Sequence, residues 1–433
     1  MAFILELLNQ LLQAAGQILL QPFYYLGIVI IMLQYRRQIV LERKLFHTKL
    51  HSIVHEFWRM LLWGWLCGIV ASLIMIFVGA SIPMESVYLL WAISLILLLF
   101  RVRYFNVAYA AGIMGLLHCI VGYFPGLLEL TSYQWLFRPI NELHVPSLLF
   151  IVAIMHLLEA YLLRIQGKRL ASPTLVEGKR GKIVGGYQLQ SYWPIPLFLL
   201  MPVAGGTLDL PWTPLFASGL DSAAVTGSWG FLALPLILGF TDFTQARLPV
   251  AKIRRSSSLL LLYACIILIA SLLSYYWSFF ILIASILTIL LHEGLVKYSA
   301  WEETTQSPLF VHGERGLLIL AVLPGSSAIE LGLQAGEIIH KVNSVLVRTK
   351  QELHQAMRLN PAFCRLEVLN LEGHSKFVSR AIYAGDHHEL GIILAPDAET
   401  IDYIPQKQRN LHFLHGLKGK PGKRKERQIY DEN

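Results

Sequence analysis

Apolar runs of membrane-spanning length recur from Leu19 to Val296, and no other feature restricts this chain so severely. A helix that crosses a bilayer needs about 20 mostly apolar residues, because lipid offers an exposed backbone no hydrogen-bond partner. Nine runs fit that requirement: residues 19–33, 60–80, 87–100, 106–124, 148–163, 193–208, 227–243, 259–275 and 278–296. The third is short, and the sixth and seventh contain several Gly and Pro residues, which leaves counts of eight or seven open. Only Tyr276 and Trp277 separate the last two runs, which read as a helical hairpin. Composition agrees: 55% of the 433 residues are hydrophobic and 15% are charged, against about a quarter charged in a soluble domain.

Basic residues fall after the odd-numbered runs, first as Arg36, Arg37, Arg43, Lys44, Lys49 and Arg59. Arg101 and Arg103 follow the third run, and Arg164, Lys168, Arg169, Lys179, Arg180 and Lys182 the fifth. Arg247, Lys252, Arg254 and Arg255 follow the seventh, and Lys297 the ninth. The alternate loops carry Glu85, Glu129, Glu142, Asp209 and Asp221, with Arg138 their one basic residue. By the positive-inside bias, nine spans place the N-terminus outside and the C-terminal region in the cytoplasm. Losing two spans preserves that alternation. Met1 precedes no basic signal-peptide region, so the N-terminus is expected to be retained. Leu5, Leu8, Leu12 and Ala15 share a helix face, and Pro22 follows. That stretch reads equally as an interfacial helix or as an extension of the first span.

Polar groups at membrane depth are His118, His156, Glu159, Asp242, His292 and Glu293. His156 and Glu159, three apart, can pair on one helix face. Most of these positions lie near run ends, and structural pairing accounts for them; transport requires their convergence on one water-filled cavity. His47, His51 and His55 form an i, i+4 series that would make one stripe if residues 41–58 were a helix. A basic helix lying at the headgroups explains that series without a metal.

The four cysteines, Cys67, Cys119, Cys265 and Cys364, have no disulfide or zinc spacing. His292-Glu293 and His55-Glu56 start a zinc-protease pattern but lack its second His. Gly227-Ser228-Trp229-Gly230 sits in no strand–turn–helix elbow. No Walker A or dinucleotide fingerprint occurs, so neither catalysis nor a cofactor is expected.

Beyond Tyr298 the apolar runs shorten, charge rises and Gly/Pro punctuation appears. Residues 316–323 read as a strand covered on both faces, ended by Pro324-Gly325-Ser326-Ser327. A helical turn at 328–331, a strand at 338–343 and a helix at 350–359 follow, the last opened by a Thr349/Glu352 capping box. Residues 364–371 and 376–382 read as a hairpin, and 389–394 as a last strand. This order resembles bacterial PDZ domains, carried by Pro324-Gly325-Ser326-Ser327-Ala328 and Leu331-Gly332-Leu333-Gln334-Ala335-Gly336-Glu337. The resemblance implies a groove between the first strand and the long helix that takes a peptide as an added strand, its carboxylate held by backbone N–H groups of the loop opening that first strand. By position those groups belong to Glu314, Arg315, Gly316 and Leu317, with Leu317, Ile319, Leu353 and Met357 as the apolar pocket. A PDZ-like packing module without a peptide satisfies the same pattern.

The expected architecture is therefore an α-helical multi-span domain over 1–300, a small α+β PDZ-like domain over 303–398, and a basic disordered tail over 399–433. Together with Arg43-Lys44-Leu45-Phe46-His47-Thr48 after the first span, it is similar to the MinJ family of Bacillus-type division-site proteins. That resemblance implies a non-enzymatic adaptor linking the coiled-coil scaffold DivIVA to the ATPase MinD and its partner MinC, and contacting late division proteins at the septum. The basic loops and tail suit anionic lipid, and no domain for reading nucleic acid accompanies them. An accessory subunit of a membrane protease or secretion system, or a transporter, are the alternative readings.

Overall fold

The computed structural model describes residues 2–48, 50–169, 171–178, 181–202, 210, 212–216, 229–360, 362–381, 390–397, 402–404 and 422–423. The proposed tail lies almost wholly outside the described residues, as do Asp209, Asp221 and Ser228.

Helix α1 (Ala2–Leu20) meets α2 (Pro22–Phe46) at Gln21 with a bend of 60°. Pro22 has no N–H to donate into α1, so the ladder stops there and a new helix starts with proline at its first position. Then come α3 (Ile53–Val78), α4 (Met84–Phe100), α5 (Val107–Tyr123), the short α6 (Gln134–Asn141), and α7 (Val145–Gln166). The late pair is α8 (Pro249–Tyr276) and α9 (Phe279–Thr305), joined by the short turn expected there. Among the described residues, four helices are long and apolar enough to cross a membrane, or five if the bent pair is one span. Helices α4 and α5, at 17 residues each, stand at the lower limit of spanning length.

Nine helical spans are not what forms. Both Pro-containing runs fold as strands: β1 (Ala171–Glu177), β2 (Ile183–Pro202) and β3 (Trp229–Thr244) make one antiparallel sheet in the order β1-β2-β3. Register runs unbroken from Tyr187 opposite Thr244 to Pro202 opposite Trp229, a ladder roughly 50 Å long at about 3.4 Å per residue. Each proline would cost about 3 kcal/mol inside a helix. In these strands they serve the edges. Phe198 turns its N–H away from β3, donating to Ser72 Oγ of α3 at 2.8 Å. Pro194 and Pro196 share that parity on β2 and have no N–H to leave unpaired. On β3, Ala233 turns its carbonyl outward to accept from Gln21 Nε2 at 2.6 Å, and Pro235 shares its parity. Helix α3 reaches the β2 edge because Gly64 and Gly68 face it; a Cβ at either would collide with the carbonyl oxygen of Pro194 or Pro196.

The continuous helix expected over 41–58 is broken too. His47 caps α2 in the left-handed region (φ 55°), and α3 starts only at Ile53. The three histidines therefore form no stripe: His51 turns back to Glu42 while His55 is exposed on α3.

The C-terminal domain follows its expected order closely, with β4 (Leu317–Val322), α10 (Ser327–Glu330), β5 (Ile338–Val342) and β6 (Val345–Leu346). It continues through α11 (Lys350–Arg358), β7 (Phe363–Leu369), β8 (Ser375–Ala381) and β9 (Ile392–Leu394). Strand order is β8-β7-β5-β4-β9, with β6 on β5, and both halves of the Thr349/Glu352 capping box are present. The domain is tied to the membrane sheet on both sides. Gly185 N–H donates to Phe310 O, and Ile404 N–H, from the stretch expected to be disordered tail, donates to Leu175 O, each at 2.8 Å. Tyr187 Oη–H donates to Leu320 O between them.

Candidate binding sites

Strand β4 is paired along both edges. Leu317 and Leu318 pair with Ile339 and Ile338, while Ile319, Ala321 and Val322 pair with Leu394, Ile393 and Ile392. Ala395 N–H donates to Leu318 O, and Leu323 N–H to Gly391 O, each at 2.8 Å. This corrects the peptide-strand position read from the sequence: a peptide cannot add to β4 without displacing β9. Leu317, Ile319 and Leu353 are buried together in the domain core, with Met357 at its border. Gly316 is pressed against the Ile339 carbonyl at φ 141°, and Arg315 O accepts from His340 Nδ1 at 2.7 Å. Glu314 and Arg315 are exposed. The outermost strand is instead β9, paired on one side only among the described residues. Its Ile392 and Leu394 pack half-buried on the cluster that contains Leu353 and Met357. Leu390, buried, and Gly391, at φ 72°, lead into it. The Leu-Gly-Ile-Ile run at 390–393 was the available sequence signal for that edge.

The second site lies among the helices. A cavity of about 110 Å³ is lined by Arg103, Glu159, Asp242, Ser256, His292 and Ser299, with Phe105, Leu260 and Val296 among its apolar walls. Five of the six intramembrane polar groups gather in or beside it. Asp242 accepts from Ser256 Oγ at 2.9 Å and Ser299 Oγ at 2.8 Å, with Lys252 Nζ at 3.7 Å. Glu293 accepts from Arg103 at 2.8 Å and from Tyr109 Oη at 2.9 Å. Lys252, buried, is bound by Glu303 at 3.0 Å. His156 Nε2 and Glu159 Oε2 face each other at 3.8 Å, the expected i, i+3 pairing, within ion-pair reach for a protonated imidazole but beyond hydrogen-bond distance. Instead His156 Nδ1 contacts Val152 O, leaving His156 Nε2, Glu159 Oε2 and His292 Nδ1 without partners. His118 lies apart, its Nδ1 against Ile140 O at 2.9 Å. Arg103 and Lys252 read in the sequence only as loop charge; no local signal reveals that the sheet and α9 bring acids to them.

These features define a polytopic membrane protein whose helices enclose a β-hairpin and whose C-terminal α+β domain docks on the base of that hairpin. Over 390 residues it is 27% identical to a Bacillus subtilis protein named cell division topological determinant MinJ, covering 90% of this chain and 96% of that one. It is 26% identical to a protein of Lacticaseibacillus paracasei named probable cell division topological determinant MinJ, covering 82% and 90% respectively. The chain is thus similar along nearly its whole length to proteins that carry the MinJ name. No family model matches the chain, and no solved structure matches it.

Proposed function

We propose that this protein is a membrane-anchored, non-enzymatic adaptor that positions bacterial cell division. Similarity along nearly the full chain to proteins named cell division topological determinants carries the reading. Its partners are those the MinJ resemblance implies: a DivIVA-like coiled-coil scaffold, MinD with MinC, and late division proteins. Anionic lipid binds the basic loops and tail.

Topology follows from charge and from the hairpin. Four long helices, one bent pair and two 17-residue helices make seven helical crossings. The hairpin enters and returns, so it replaces two of the nine sequence-predicted crossings without disturbing the alternation of basic loops. The N-terminus is then outside and the C-terminal domain cytoplasmic. That domain acts as a PDZ-like module, and the edge of β9 left unpaired among the described residues is where it takes a partner's strand.

A fluorescent fusion should concentrate at septa and poles, and deletion should misplace septa. An even membrane distribution with normally placed division sites after deletion would sink the proposal. Affinity purification followed by mass spectrometry should recover the scaffold and MinD; a membrane protease in their place supports the accessory-subunit alternative.

A further inference from the structure

We propose that the intramembrane cavity binds a primary ammonium group, carried either on a lipid headgroup or on a small free amine. Glu159 faces it from the middle of α7, 2% exposed and with Oε2 unpartnered. A lone buried carboxylate is costly unless it is protonated or meets a cation that also satisfies its lone pairs. Charge around the cavity selects the sign of the ligand. Among the lining residues Glu159 and Asp242 are acids, and the one base is Arg103, which Glu293 already binds. An anion would meet more acid than base in that lining, whereas an ammonium offers Glu159 a cation.

Shape and hydrogen-bonding capacity narrow the class further. An ammonium has three donors and no acceptor; Glu159 Oε2 and His292 Nδ1 are buried atoms of lining residues that lack a hydrogen-bond partner. Ser256 and Ser299, at the first turns of α8 and the last turns of α9, give the cavity a polar rim. Phe105, Leu260 and Val296 supply apolar walls for a short methylene arm. No group of three or more His, Cys, Asp or Glu placed to hold a metal ion occurs among the described residues.

Thermal unfolding of the full-length protein tests this in nanodiscs of phosphatidylglycerol alone, the same with phosphatidylethanolamine, and phosphatidylglycerol with added soluble ethanolamine. Either amine source should raise Tm by about 3 °C or more at about a hundredfold excess over Kd. A shift with the lipid alone identifies a headgroup; a shift with ethanolamine alone identifies a free amine. Glu159→Gln should weaken binding about tenfold or more, since a charge-assisted hydrogen bond is lost. Should that variant fail to fold, Val296→Phe, which fills the cavity without touching its charges, should abolish the shift. No shift from either probe, or an equal shift in wild type and in either folded variant, overturns the proposal.

Discussion

The sheet enclosed by helices and the sheet of the C-terminal domain differ most at their edges. In the C-terminal domain β8 closes one side with Lys376 and Arg380, whose charges reach Glu337 and Glu330 at 3.2 Å and 2.9 Å. Water satisfies the rest of that edge, and the charges discourage pairing with another chain. Neither device works in lipid. There β2 removes donors with Pro194 and Pro196 and spends the outward N–H of Phe198 on Ser72. Solvent thus decides how an edge is closed: charge suffices where water can hydrogen-bond, and proline with a paired hydroxyl substitutes where it cannot.

Crowding the α3–β2 contact should break this arrangement outright. Gly68→Leu places a side chain on the Pro196 carbonyl, where neither helix nor strand backbone can yield. A loss of about 3 kcal/mol or more is expected, seen as collapse of the folded yield and Tm of the full-length protein in detergent. A Gly68→Leu variant of wild-type stability would show that α3 does not seal the edge. A subtler change isolates the hydrogen bond. Ser72→Ala strands the Phe198 N–H in a buried site, at a cost of about 1–3 kcal/mol. Ser72→Thr should restore most of it, because its hydroxyl keeps the acceptor.

The same contrast explains what was legible in the sequence. The C-terminal elements announce themselves because an aqueous domain alternates apolar strands with turn residues: Pro324-Gly325, Gly332 and the Thr349/Glu352 pair fall at element boundaries. Residues 193–202 and 229–243 carry no such alternation, since both faces of β2 and β3 are covered by helices or lipid. Only the prolines distinguished strand from helix there, and they were read as irregularities in a span. The cavity was half legible. Its acids and histidines stand out as polar residues in apolar runs, yet Asp242 reaches Ser299 and Arg103 reaches Glu293 through sequence separations of 57 and 190. The peptide edge was misassigned because β4 has the stronger apolar run, while β9, which covers it, follows 69 residues after Leu323.

A smaller effect is expected from the cap of α11, which helps fix the C-terminal domain independently of lipid. Thr349→Ala removes the acceptor for Glu352 N–H at 3.1 Å and should cost about 1 kcal/mol. Hydrogen exchange should quicken along α11 and leave the β2–β3 ladder unchanged. Faster exchange in both sheets would mean that the two regions unfold as one unit.

The junction between α2 and β1, within the membrane part, supplies the smallest and most specific effect. His51, outside the helices, bonds Glu42 at 2.7 Å, and Glu42 also accepts from Ser172 Oγ at the start of β1, at 2.7 Å. Burial opposes the His51 charge, but the hydrogen bond and charge of Glu42, the charge of Glu56 and the Arg169 carbonyl outweigh it and raise the pKa above 6.5. A raised histidine pKa means the folded state holds the proton more tightly than the unfolded chain. The contribution is therefore complete below pH 6.5 and fades as pH rises through the higher folded value. Melts of the wild type should lose stability from pH 6 toward pH 8.5 relative to His51→Gln, whose curve lacks this component. Parallel curves for the two proteins would mean that His51 is neutral in the folded state. Glu42 would then tie α2 to β1 through the Ser172 hydroxyl without help from a charged His51.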